Sequence, residues 1–110
     1  MKSSMVKYRV DISEPAENDL RDIVGHIATQ LSVPMTALTM MQAMEKAIAG
    51  LACMPKSRPP VLDDRLRAAG YRKLIVKNYL VFFTIDEDKK IVNVERILFA
   101  RRDWLSLIGS

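Results

Sequence analysis

The stretch from Gly70 to Trp104, GYRKLIVKNYLVFFTIDEDKKIVNVERILFARRDW, constrains the fold more than any other part of the chain. Apolar and β-branched residues crowd positions 74–76, 79–85 and 91–99, and Lys77-Asn78 and Asp86 to Lys90 punctuate them. Runs of that length between short polar turns predict a three-stranded meander. The basic residues of this stretch stand at strand starts, at turns and at the exit. A small sheet edged with arginine can grip an anion.

Upstream, residues 7–12 alternate modestly, with Tyr8, Val10 and Ile12 on one side, and predict a short first strand. Ser13-Glu14-Pro15 is a helix entry: Ser13 or Glu14 can cap, and Pro15 has its φ set for a first turn. Ala16, Leu20, Ile23, Val24, Ile27 and Leu31 then keep helical spacing, so a helix is expected over 15–31. Ser32-Val33-Pro34 breaks the chain and opens a second helix that ends at Met54-Pro55. Its stripe is Ala37, Met41, Met44, Ile48 and Leu51, widened by Leu38, Ala47 and Ala52. So short a link predicts an antiparallel helical hairpin. Methionines at this spacing read as core filler. Residues 55–67, stiffened by Pro59-Pro60, read as a long loop tacked down by Leu62 and Leu66. Residues 103–108 read as a last helical turn or two, and 1–6 as a loose leader. The expected fold is α+β, in the order β-α-α-β-β-β. A helical hairpin packs on one face of a mostly antiparallel four-stranded sheet, and a short C-terminal helix follows. One domain over 7–108 accounts for the chain.

With 110 residues and 49% apolar composition, the chain can bury one core, but not a core plus a separate cofactor domain. No run reaches the length of a membrane span, and the start lacks the layout of a signal peptide. Cys53 is the lone cysteine and can form neither an internal disulfide nor a Cys-based metal site, so a reducing cytoplasm is expected. The net charge of +4 is unevenly spread. Residues 1–55 carry five Lys/Arg against six Asp/Glu, and residues 56–110 carry twelve against seven. The basic excess fits a solvated surface, and it also fits an anionic partner.

Familiar catalytic constellations are mostly missing. His26, the one histidine, sits mid-helix without a second ligand at metal spacing and reads as a surface residue. No phosphate-cradling glycine loop is present. Asp63-Asp64 and Asp86-Glu87-Asp88 read as turn formers and solubilisers. No cofactor and no metal is expected. What remains is a basic set: Arg72, Lys73, Lys77, Arg96, Arg101 and Arg102. Alternation places Arg72 with Leu74 and Val76, opposite Lys73, and places Arg96 with Val94 and Leu98. A guanidinium among apolar neighbours needs a partner. That partner is either an internal carboxylate such as Asp103, the reading favoured for Arg96, or a bound phosphate or carboxylate, which the planar fork suits.

The element order, the GYRKL opening of the second strand, the NYLVFFTID third strand and the closing ERILFARRDW resemble the RelE/ParE superfamily of toxins, over about residues 7–108. The resemblance implies the toxin of a type II toxin–antitoxin, or plasmid-stabilisation, module. Such a toxin arrests growth and is neutralised by a cognate antitoxin whose extended or helical tail wraps it. Operator DNA is then reached only through the antitoxin, and no membrane is involved. The RelE-like branch implies a ribosome-dependent endoribonuclease (an mRNA interferase), which drives a 2′-OH onto the adjacent phosphate with cationic and proton-transfer groups. Arg72 and Arg102 match its catalytic cations. Leu74 stands where that branch has a second lysine, Leu80 where it has an arginine, and no tyrosine follows Arg102. The ParE-like branch implies a non-enzymatic poison of DNA gyrase, which needs no such set. Leu74 and Leu80 also motivate a different reading: a non-toxic member acting as a protein-binding module or co-repressor.

Overall fold

The computed structural model describes residues 7–30 and 34–100. The leader at 1–6, the tail helix expected at 103–108, and Arg101 and Arg102 lie outside the described residues. β1 (Arg9–Ile12) leads into α1 (Glu14–Gly25) and, after a widened turn, α2 (Pro34–Ala49). A connection carrying α3 (Asp64–Ala68) then leads to β2 (Arg72–Val76), β3 (Tyr79–Asp86) and β4 (Ile91–Phe99). The four strands form one sheet in the order β1-β4-β3-β2. β2, β3 and β4 form the expected antiparallel meander, and β1 adds to β4 in parallel.

Local chemistry accounts for the elements. Ser13 caps α1, its Oγ accepting from the Ala16 N–H at 3.1 Å, with Pro15 in the first turn and Glu14 and Glu17 at the positive end of the dipole. The helix expected over 15–31 is α-helical only to Gly25 and continues as a π-helical turn, His26–Gln30. There the Thr29 hydroxyl donates to the Gly25 carbonyl at 2.6 Å, a side-chain competitor for the helical ladder. In α2 the buried stripe is Ala37, Met40, Met44 and Ile48, continued by Leu51. Four of the five expected stripe residues are therefore buried; Met40 takes the place of Met41, which is half-buried, and Leu38, expected to widen the stripe, is exposed.

The sheet is covered on both sides. The helical hairpin covers one face, as expected, and packs on Leu74, Val76, Val81, Phe83, Val92, Val94 and Ile97. The other face carries a second, smaller core of Val61, Leu66, Leu80, Phe82 and Leu98, with Tyr71 at its margin. The 55–67 segment is therefore more than a loop. Asp63 caps the five-residue α3, accepting from the Leu66 N–H at 3.0 Å, and drives Leu66 and Val61 into this second core. Leu62, expected to help, points to solvent. Burial of consecutive Leu80 to Phe83 follows, because a strand covered on both faces has no solvent side.

β4 changes parity partway along. Phe82 faces Arg96 and Phe83 faces Val94, so Glu95 is an extra residue opposite that step, a β-bulge. Val94 and Ile97 accordingly share the large core, while Leu98 belongs to the small one. The expected grouping of Val94, Arg96 and Leu98 on one face is overturned by that single residue.

At the far end, Glu87 joins three segments. Its Oε2 accepts from the Tyr8 hydroxyl at 2.7 Å and lies 2.7 Å from Lys90 Nζ and 3.1 Å from Lys56 Nζ. Bonding to Lys90 first, then to Tyr8 and Lys56, holds its carboxyl down at about 2. A carboxyl whose folded pKa lies below its unfolded one stabilises the fold at pH values above the unfolded pKa, and that support drains away as pH falls from there towards 2. Thermal melts of Glu87→Gln should therefore lie below those of the wild type near neutrality and converge with them as pH falls from about 4.5 to 2. A constant gap across that range would contradict this account.

Candidate functional site

The described cations of the basic set occupy four different settings. Arg72 opens β2 on the face of Leu74 and Val76, and its Nη1 donates to the carbonyls of Lys56 (3.2 Å) and Arg58 (2.7 Å). It thus staples the 56–58 turn to the sheet while keeping its charge. Lys73, opposite, sits beside Phe82 in register. Lys77 is at the tip of the β2–β3 hairpin with φ 54°, a left-handed conformation that costs a lysine roughly 1 kcal/mol. Arg96 meets Asp19 of α1 in a two-point pair, Nε to Oδ2 at 2.7 Å and Nη2 to Oδ1 at 2.9 Å. Asp19 of α1 is a carboxylate partner of Arg96, while Asp103 lies outside the described residues, and the bonds to Asp19 push the Arg96 guanidinium further up.

Asp19 does more than neutralise Arg96. β4 runs nine residues against four for β1, so β4 outlasts its parallel neighbour after Val94. Side chains of the α1 segment take over from there. The Ser13 hydroxyl donates to the Glu95 carbonyl at 3.0 Å, and Asp19 Oδ2 accepts the Ile97 N–H at 2.9 Å. One carboxylate therefore satisfies a strand edge and a guanidinium together. Removing it leaves both in a half-buried site. Asp19→Ala should cost about 2–4 kcal/mol in urea unfolding, more than an exposed ion pair contributes. A loss below roughly 1 kcal/mol would show that the carboxylate does not hold the helix to the strand.

Two clefts flank α1. The larger, about 750 Å³, is apolar and runs beside the outer edge of β1. Val10 and Ile12 line it from β1, Leu20 and Val24 from α1, and Met41 and Ile48 from α2, with Glu17, Arg21 and Glu45 also on its walls. Among the described residues, the outer side of β1 is engaged only at its start, where the Tyr8 N–H meets the Ala52 carbonyl and Lys7 bridges to Cys53. An open strand edge beside an apolar trough suits an extended or helical segment of another chain. The smaller cleft, about 570 Å³, lies between the other side of α1 and the ends of β3 and β4, and Arg96, Tyr79 and Phe99 line it. His26, read as a plain surface residue, is exposed on its wall. Neither cleft was visible in the sequence, because each needs the helix hairpin docked.

Leu74 and Leu80, the two departures from the RelE-like pattern, are part of the core. Leu74 is 5% exposed in the large core and Leu80 is 8% exposed in the small one. In register Leu80 faces Ile75, and Leu74 faces Val81. The two leucines therefore lie on opposite faces of the sheet and line no common surface. Among the described residues no group of three or more metal-ligating side chains is gathered, and no helix is long and apolar enough to cross a membrane.

Comparison with known proteins now places the chain. Residues 10–104 match the ParE toxin of type II toxin–antitoxin systems, parDE. The chain belongs to that family, within the RelE/ParE superfamily. A search of curated proteins finds no match. Among solved structures it is similar to a chain of the chromosomal ParDE toxin–antitoxin system of P. aeruginosa, with 18% identity and a TM-score of 0.71 over 86% of this chain and 98% of that one. A chain of the RelBE2 toxin–antitoxin complex of Mycobacterium tuberculosis shares 20% identity at a TM-score of 0.60, over 89% and 97% of the two chains. A mutant of the E. coli toxin RelE in the free state shares 15% at 0.59, over 93% of each. At these identities the structural likenesses establish the fold. The family match makes this chain the toxin component of a type II toxin–antitoxin module.

Proposed function

We propose that the chain arrests growth by poisoning DNA gyrase, without cleaving RNA, and that its antitoxin silences it by seating an apolar tail segment in the cleft beside β1. The observation that carries the first part is the burial of Leu74 and Leu80 on opposite sheet faces. A ribonuclease of the RelE pattern places cationic groups there to stabilise phosphate charge, and loss of one such group costs orders of magnitude in rate. Arg72 is a single cation, and its Nη1 already serves two backbone carbonyls. Membership of the ParE family supports the same reading. For the antitoxin, the support is the pairing of an open β1 edge with the apolar walls of the trough.

Two assays run side by side decide the target. With purified gyrase the chain should lower supercoiling and accumulate cleaved DNA in the absence of ribosomes. In primer extension on translating ribosomes it should leave mRNA intact. Cuts at codon positions, with gyrase unaffected, would reverse the proposal. For the trough, Ile12→Glu should leave the chain folded and weaken antitoxin binding at least tenfold, so that co-expressed antitoxin no longer restores growth. Full rescue of Ile12→Glu would place the antitoxin elsewhere.

A further inference from the structure

We infer that the smaller cleft, between α1 and the ends of β3 and β4, is a socket for one basic side chain of the antitoxin; this rests on reading the chain as an antitoxin-held toxin. The cleft has its own polar inventory. At its floor Asp19 takes three bonds, from Arg96 Nε, Arg96 Nη2 and the Ile97 N–H. The Asp19–Arg96 pair cancels in charge. Asp22, which lines the same cleft from α1, has no side-chain partner among the described residues. Neither does the His26 imidazole, and Tyr79, which also packs against the large core, meets the ring of Phe99 edge-on at 5.5 Å. Counted over the described lining residues with histidine neutral, Asp19, Asp22 and Arg96 leave one negative charge, in a chain whose net charge is +4.

That combination selects a cation. A carboxylate facing aromatic rings attracts a guanidinium or an ammonium through charge and through the ring faces together. The phenol oxygen and an imidazole nitrogen can accept further N–H bonds. Two aspartates on the wall disfavour phosphate. Geometry favours the antitoxin as the source. α1 is the partition between the two clefts: Leu20, Arg21 and Val24 face the trough, while Asp22, Ile23 and His26 face the socket. A helix with its side chains is about 10–12 Å across, a distance that about three or four extended residues span. A tail seated in the trough therefore reaches the socket by crossing a single helix.

The test measures binding of the cognate antitoxin to the wild-type toxin, to Asp22→Asn and to Asp88→Asn, a turn carboxylate outside both clefts. Asp22→Asn should bind at least tenfold more weakly, the difference should shrink in high salt, and Asp88→Asn should match the wild type. Equal affinity of Asp22→Asn and wild type would overturn the socket. A second measurement needs no antitoxin: NMR titration of the chain with N-acetyl-arginine amide should shift the Tyr79 and Phe99 ring resonances, and Asp22→Asn should abolish the shifts. Shifts produced by inorganic phosphate and not by the arginine amide would overturn the inference. A wild-type chain that binds no antitoxin refutes the functional reading, and the amide titration tells that failure apart from failure of the socket itself.

Discussion

The carboxylate of Asp19 is the constraint on which the architecture depends. β4 is long because it must pair with β3 over its whole length, and β1 is short because the chain turns into α1 after Ile12. The outer edge of β4 beyond Val94 would otherwise face a helix, which has no backbone groups to offer it. Buried or half-buried peptide groups left without partners are costly. Asp19 and Ser13 supply the missing acceptor and donor from the start of the helix. In doing so they fix how α1 lies across the sheet. The width of both clefts, and the placement of Arg96 in one of them, follow from that docking.

Covering the second sheet face changes what a basic sheet can do. Lys73 lies on that face beside Phe82, while Arg72 turns towards the hairpin side and is pinned by the 56–58 turn. The described cations are distributed around a packed slab. α1 then gains a role beyond packing. One side of it helps form an apolar trough and the other a polar slot, so a single partner that straddled it would meet both hydrophobic and electrostatic chemistry.

Much of this was legible in the chain. The Lys77-Asn78 turn set the β2–β3 hairpin, Ser13 and Pro15 marked the helix entry, and Pro34 began the second helix, because these signals act within a few residues. α3 escaped because five residues are too few for a helical period to show, although Asp63 with Leu66 three positions on was a fair capping sign. The π-turn at His26 leaves no compositional trace. The bulge at Glu95 carries no glycine to announce it. Asp19, a partner of Arg96, lies 77 positions away, and only the docked fold brings it close. The trough and the slot belong to the same class, since both are made of residues whose nearness is tertiary.

The extra residue at Glu95 has a consequence for how this chain can vary. Upstream of it, even-numbered positions such as Val92 and Val94 turn to the hairpin; downstream, odd-numbered Ile97 does, and Leu98 turns away. What is specified there is an irregularity, not a side chain. Many amino acids could stand at Glu95 with modest effect, and deleting it would turn Phe83–Val94 and Phe82–Arg96 into consecutive pairs of a regular ladder, with Ile97 and Leu98 on the faces they hold now. In a lineage of such proteins, this position should drift in identity and tolerate loss, whereas pairing Glu95 itself with Phe82 would turn Ile97 and Leu98 to the opposite faces.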